Sequence, residues 1–431
     1  MIVNKLEIPR IDESLYQFQL ENGLNVYLYP KPEMEKTFAM FVTKYGSIDQ
    51  KFIPLDEQEW TSVPDGIAHF LEHKMFEKED GDVFQQFSER GASANAFTSF
   101  TQTAYLFSST SEEKGNVETL LNFVQDPYFT EETVEREKGI IEQEIRMYDD
   151  EADWRLFFGL IGALYKEHPV RIDIAGTVDS IHSITHHDLY KCYETFYHPS
   201  NMQLFVIGNF DLEEMKQLVE SNQNSKSFIE PGEIKRDFGK EDNEVFKKEE
   251  VIEMPVTTAK CMVGVKEKID QLNPEQLLKN ELVRDLVLDL YFSKSGTYYE
   301  KLYQEGLMID SLRLELIMED SFGFTAIGAS TTKPEQFAKE VKQMLLSLKN
   351  ETINEKAFQR AKKKKYGELI REFNDLEETA SNFVSYFQQG VDYRDAFSVL
   401  ENVTIEDINE ALNEWISEER ISTCMVVPEK E

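Results

Sequence analysis

The stretch Ser62-Val63-Pro64-Asp65-Gly66-Ile67-Ala68-His69-Phe70-Leu71-Glu72-His73-Lys74-Met75 holds the pattern on which the reading of this chain turns. Ser62 offers a capping hydroxyl, Pro64 suits a first helical turn and Asp65 complements the positive helix end, so a helix is predicted to start here. Ile67, Leu71 and Met75 recur at four-residue spacing and make its core stripe. His69 and His73 share that spacing, which sets two imidazoles one turn apart on one face, with Glu72 on the adjoining flank. Two neutral imidazoles so placed suit Zn²⁺, and a carboxylate beside them can take a proton from a water that the metal polarises. For the histidine pair alone, a surface helix that carries them by coincidence is the plain alternative.

Zinc that keeps a position open for water needs a third protein ligand. The segment Val134 to Tyr148 offers one. Turned at about 100° per residue, it gathers Ile140, Ile141, Ile145, Met147 and Tyr148 into one sector, with Glu137 and Glu144 in its middle. Glu135, Glu142 and Arg146 fall on the opposite, solvated side. A carboxylate on a core-facing stripe is costly unless it is paired or binds metal. Glu137 and Glu144 therefore read as metal-site residues, or else as acids buried against Arg or Lys.

Beyond these motifs the chain is long, 431 residues, and suggests two domains. Its net charge of -35 opposes binding to nucleic acid or to an anionic membrane surface. The one basic run, Arg360 with Lys362 to Lys365, reads as a solvated helix face. The three cysteines, Cys192, Cys261 and Cys424, are far apart and odd in number, so a reduced state is expected. Charge enters early in Met1 to Glu7, unlike a signal peptide, and the apolar run Leu156 to Tyr165 is shorter than the about 20 residues that span a bilayer. A cytoplasmic location is expected.

The chain also echoes itself. Thr185-His186-His187-Asp188 precedes an amphipathic stretch and the apolar run Met202 to Ile207; Thr404-Ile405-Glu406-Asp407 precedes a similar stretch and Cys424 to Val427. Ile145-Arg146-Met147-Tyr148-Asp149-Asp150 pairs with Ile370-Arg371-Glu372-Phe373-Asn374-Asp375. Both echoes are offset by roughly 220 residues, which suggests a duplicated α/β unit. Strand-like runs such as Leu24 to Tyr29 and Phe38 to Val42 mix with helical periodicity without a strict βαβ rhythm. The expectation is an α+β protein: residues 1–221 as the domain bearing the histidines, 222–254 as a linker, and 255–431 as a homologous domain.

With His69-Phe70-Leu71-Glu72-His73 followed by Glu137 and Glu144, the chain resembles the pitrilysin family of inverted zinc peptidases. That family includes mitochondrial processing peptidase and insulin-degrading enzyme. The similarity extends to Gly91 to Thr98, to Ala175 to Ile181 and to Phe196 to Met202, and within the family the chain resembles the YmfH-like bacterial type. The resemblance implies two homologous α/β sandwich domains forming a clam-like chamber. It implies one Zn²⁺ per chain, held by His69, His73 and Glu144, with Glu72 as general base and Glu137 supporting the site from behind. Asn95, Ala96 and Phe97 match the family's edge strand, where a peptide substrate adds as an extra β-strand.

The second half departs from the pattern. Leu369 and Lys362 stand at the repeat positions of Glu144 and Glu137, and no histidine follows His198. Active members of the family carry an Arg and a Tyr that hold the substrate carbonyl; here Leu302 and Ile309 occupy those places in Lys301 to Ile309. The resemblance therefore implies a heterodimer whose homologous partner supplies Arg and Tyr. A homodimer or monomer using Tyr298, Tyr299 or Arg313 is the alternative. A non-catalytic structural subunit and a peptide-binding module are the competing functions.

Overall fold

The computed structural model describes residues 2–55, 57–79, 81–230, 232–269 and 272–429. Its principal strands are β1 (Asn4–Glu7), β2 (Ser14–Gln19), β3 (Asn25–Pro30), β4 (Thr37–Thr43), β5 (Ala92–Thr98), β6 (Thr103–Ser109), β7 (Met202–Gly208), β8 (Glu249–Met254), β9 (Ala259–Lys266), β10 (Arg313–Met318), β11 (Gly323–Thr331) and β12 (Ile421–Pro428). The helices that matter here are α1 (Ile67–Met75), α2 (Glu131–Asp149), α3 (Ala152–Leu164), α4 (His186–Phe196), α5 (Glu355–Glu372), α6 (Leu376–Gln388) and α7 (Ile405–Trp415).

One sheet runs β1-β2-β3-β7-β4-β6-β5, the other β8-β12-β9-β11-β10. In each, the single parallel pair joins the strand that closes the repeat to the one that opens it: β7 to β3, and β12 to β8. All other neighbours are antiparallel. The last five strands of the first sheet thus repeat the whole order of the second. The echoes lie where this duplication puts them: Thr185 and Thr404 each close a capping box, with Asp188 and Asp407, at the start of α4 and α7. The fold is α+β in two parts, as its sequence pattern indicates.

The compact units are not continuous. One comprises residues 1–145, 172–238 and 372–388; the other comprises 146–171, 239–371 and 389–431. The division at 222–254 follows the repeats, whereas the units exchange a helix between repeats. In the second unit α3 packs on β8, β9 and β12, burying Leu160, Ile161 and Leu164. Contact there is close: a Cβ on Gly264 would lie 2.9 Å from Leu160, and one on Gly159 would lie 2.7 Å from Cys424 Sγ. In the first unit α6 packs on β4 and β7, with Phe387 stacked on Tyr27 at 4.6 Å. The stretch expected as a linker contains β8 itself. Its exposed Glu249 and Glu253 hide a strand that pairs along its full length with β12.

The basic run on α5 is engaged rather than merely solvated: Lys364 pairs with Asp289, Lys365 with Asp285, and Lys362 donates to the carbonyls of Glu401 and Val403. The three cysteines are free and buried. Among the described residues no helix is long and apolar enough to cross a membrane.

Candidate metal centre

The helix that carries the histidines starts later than its sequence suggests. Ser62 lies in a short strand, and α1 begins at Ile67 after Gly66, whose φ of 83° is left-handed; no side chain caps it. What fixes this start is a distant segment. A Cβ on Gly66 would lie 2.3 Å from the carbonyl oxygen of Ala175, and Ser180 Oγ donates to Asp65 O at 2.9 Å. The motif Ala175 to Ile181 thus seats α1, a role that local capping rules cannot show. The predicted core stripe holds: Ile67, Leu71 and Met75 are buried.

The stripe of α2 is rotated from the predicted one. Val134, Glu137, Lys138, Ile141 and Ile145 are buried, while Ile140 and Met147 are exposed. The true core line is centred nearer Val134, which leaves Glu137 on its buried edge and Glu144 half-buried at its rim. A ligand carboxylate belongs at such a rim, where metal and water can reach it. Glu142, expected to be solvated, meets His182 Nε2 at 2.9 Å. The two helices are tied together by buried Lys74, which donates to Thr133 O at 3.4 Å and pairs with Glu77; Arg136 pairs with Glu77 as well.

This packing brings His69, His73 and Glu144 together, with one ligand atom of each within 4.8 Å of the others. Glu144 Oε1 is 3.7 Å from His69 Nε2, and Oε2 is 3.5 Å from His73 Nε2. Tetrahedral zinc with bonds of about 2.0–2.1 Å separates its ligand atoms by about 3.3 Å, so small side-chain rotations close the set. His73 Nδ1 donates to Glu137 Oε1 at 3.0 Å, which leaves the Nε2 lone pair toward Glu144. Among the described residues His69 Nδ1 is buried without a hydrogen-bond partner. The fit to zinc rests on the donor set instead, two imidazoles and a carboxylate that each offer a lone pair at the cluster.

Electrostatics agree with this fit. Burial, reinforced by neighbouring His73, holds the pKa of His69 down at about 3, so the ring is neutral and can ligate. Burial also opposes charge on His73, but the Glu137 hydrogen bond and the carboxylates of Glu72 and Glu144 outweigh it and raise its pKa. A metal cation would reverse that tendency by competing for the same lone pair. Burial pushes the Glu72 carboxyl above its usual range, and the Thr98 hydroxyl, donating to Oε2 at 2.7 Å, works against the shift.

Asn95, Ala96 and Phe97 lie in β5, the terminal strand of the seven-stranded sheet, against which α1 packs. Asn95 is exposed, and its Oδ1 accepts from Ala96 N at 2.9 Å. A cavity of about 590 Å³ is lined by Glu72, His73, Glu137, Asn95 and Ala96 together with Phe76. Sequence reasoning placed Thr98 at the end of the matched segment but gave it no role. Its contact with Glu72 spans 26 positions and has no periodic signal.

In the second unit Leu302 is fully buried and Ile309 is 61% exposed. Of the alternatives, Tyr298 donates to Glu351 at 3.1 Å and Arg313 pairs with Asp153.

Two family models match: "Insulinase (Peptidase family M16)" over residues 61–178 and "Peptidase M16 inactive domain" over 183–365. The first covers His69, Glu72, His73, Glu137 and Glu144, and the second contains none of them. The chain is 51% identical to the uncharacterized zinc protease YmfH of Bacillus subtilis, across 99% of this chain and 100% of that protein. A crystal structure of an M16-like peptidase from Alicyclobacillus acidocaldarius superposes with a TM-score of 0.93 at 39% identity, covering 98% of this chain and all of that one. A protease from Helicobacter pylori shares the fold at 20% identity, with a TM-score of 0.84 over 96% of this chain and all of that one.

Proposed function

Since the chain belongs to the M16, or insulinase, family of peptidases, we propose that it is a zinc-dependent endopeptidase acting on peptides or unfolded segments. The observation that carries this reading is the convergence of His69, His73 and Glu144 beside the Glu72 carboxylate. His69, His73 and Glu144 would hold one zinc, with Glu137 fixing the His73 tautomer from behind. Bound zinc supplies Lewis acidity toward a water and the scissile carbonyl. Glu72 would act as the general base, taking a proton from the attacking water as its oxygen bonds to the carbonyl carbon and returning it to the departing amine as the C–N bond breaks. An extended substrate lies along β5, paired with backbone groups of Asn95 to Phe97, so binding depends on strand conformation more than on side-chain identity.

The oxyanion needs donors that Leu302 and Ile309 do not offer. In our reading a homologous second subunit supplies an Arg and a Tyr, making this chain the zinc-bearing half of a heterodimer; a homodimer is the variant of the same idea. Metal analysis of the purified chain, combined with cleavage of an unstructured reporter peptide by the chain alone and with co-purified partners, tests this. Stoichiometric zinc with cleavage only in the presence of a partner is the expected result. Full activity of the isolated chain would remove the heterodimer, and zinc without cleavage in any assembly would leave a peptide-binding or structural subunit.

A further inference from the structure

We propose that Thr98 is a positioning residue for the general base, so that the strand receiving the substrate also aims the carboxylate that activates water. The assignment rests on the peptidase reading above. Thr98 is the last residue of β5, directly after the Asn95 to Phe97 segment, and its Oγ1 donates to Glu72 Oε2 at 2.7 Å. Because a threonine hydroxyl has one proton to give, this bond engages one carboxylate oxygen and leaves Oε1 for the water. Glu72 is buried, so few other groups compete to orient it, and a charge-assisted hydrogen bond here is stronger than at the surface.

The hydroxyl is itself held in place. Thr98 pairs with Thr103 on β6, and the turn that follows is pinned on both sides. Ser99 N donates to Gln102 O at 2.8 Å, while Ser47 N and Ile48 N donate to the carbonyls of Ser99 and Phe100 at 3.0 and 3.1 Å. Gly46 makes that approach possible, since a Cβ there would lie 2.3 Å from Phe100 O. Gly46 N in turn donates to the buried Asp49 carboxylate, which Arg236 pairs at 2.7 Å. A side chain fixed by so many backbone bonds can hold another within the fraction of an ångström that proton transfer demands. The geometry also explains why a threonine serves at this place. Its methyl group and branched Cβ suit a strand, while its hydroxyl reaches across to α1.

The test compares wild type with Thr98→Val and Thr98→Ser, each in the assembly in which wild type cleaves the reporter peptide best. Val keeps the shape and strand preference and removes only the hydrogen bond. The expected result is unchanged zinc stoichiometry and melting temperature for Thr98→Val, KM within about twofold, and kcat reduced about tenfold or more, with Thr98→Ser restoring most of it. An active wild type matched by an equally active Thr98→Val overturns the assignment alone. A Thr98→Val loss that appears equally in zinc content or melting temperature also overturns it, because the role would then be structural. A wild type that holds zinc and cleaves nothing in any assembly overturns the peptidase reading, and this assignment with it.

Discussion

His73 Nδ1 lies 3.0 Å from Glu137 Oε1, and that hydrogen bond determines which ring nitrogen is left for a metal. The two residues come from different helices, and Glu137 is buried on the core edge of its own. A carboxylate in that position holds the imidazole in one orientation and raises its basicity as a ligand.

Removing the charge at this contact while keeping an acceptor should weaken metal binding without abolishing the fold. Glu137→Gln is expected to lower zinc affinity by about 10- to 100-fold, read by competition with a chromophoric chelator. An unchanged affinity would detach Glu137 from the metal centre.

Glu72→Gln should separate binding from chemistry. The amide still accepts from Thr98 but cannot take a proton, so zinc is retained and kcat falls about 10²- to 10⁴-fold. A variant that cleaves at the wild-type rate shows that the base lies elsewhere.

Zinc should act as a ligand of the folded state. Chelation is expected to abolish cleavage and lower the melting temperature, and zinc at about 100 times its Kd should restore about 2.7 kcal/mol. Glu144→Ala should lose that thermal response, as scanning calorimetry with and without zinc would show.

Gly66→Ala should be far worse than an ordinary substitution beside a helix. Its left-handed φ of 83° and the 2.3 Å approach to Ala175 O leave no place for a methyl group. A loss on the order of 3 kcal/mol or more is expected, together with weaker zinc binding because the start of α1 must move. Chemical denaturation of the purified variant measures it; a stable variant would mean the seat of α1 is not rigid.

His168 gives the second unit a pH signature. Burial lowers its pKa from 6.5 to about 4, and its Nδ1 accepts from Val170 N at 3.1 Å. The unfolded chain takes up this proton near pH 6.5 and the folded chain only near pH 4. Its contribution is therefore present above pH 6.5 and lost as pH falls to 4, by about 3 kcal/mol at most. His168→Asn, which keeps an acceptor, should flatten the stability curve between pH 6.5 and 4. An identical slope in urea titrations of both proteins would contradict this.

Local spacing carried much of the site. Four-residue spacing sets His69 beside His73 because a helix repeats every 3.6 residues, and seven-residue spacing does the same for Glu137 and Glu144. The repeat was legible for a similar reason, since Thr185 and Thr404 each start a helix with the same capping box. The wheel for α2 failed at Ile140 and Met147 because their hydrophobicity argued for burial while their neighbours did not provide it. β8 was missed because Glu249, Glu250 and Glu253 make up half of it and Val251 is exposed, so it lacks the apolar–polar alternation that marks a half-buried strand.

By itself, then, the sequence determined the α+β duplication, the two helices and the residue types each presents at one face, all consequences of chemistry within a few turns of chain. Tertiary structure decided where α1 begins, through Gly66 against Ala175, and which atoms meet: His73 with Glu137, both histidines with Glu144, Thr98 with Glu72. It also decided the exchange of α3 and α6 between the units. These are contacts between segments far apart in the chain, and no periodic pattern encodes them, because packing and hydrogen bonding select them only after the elements have formed.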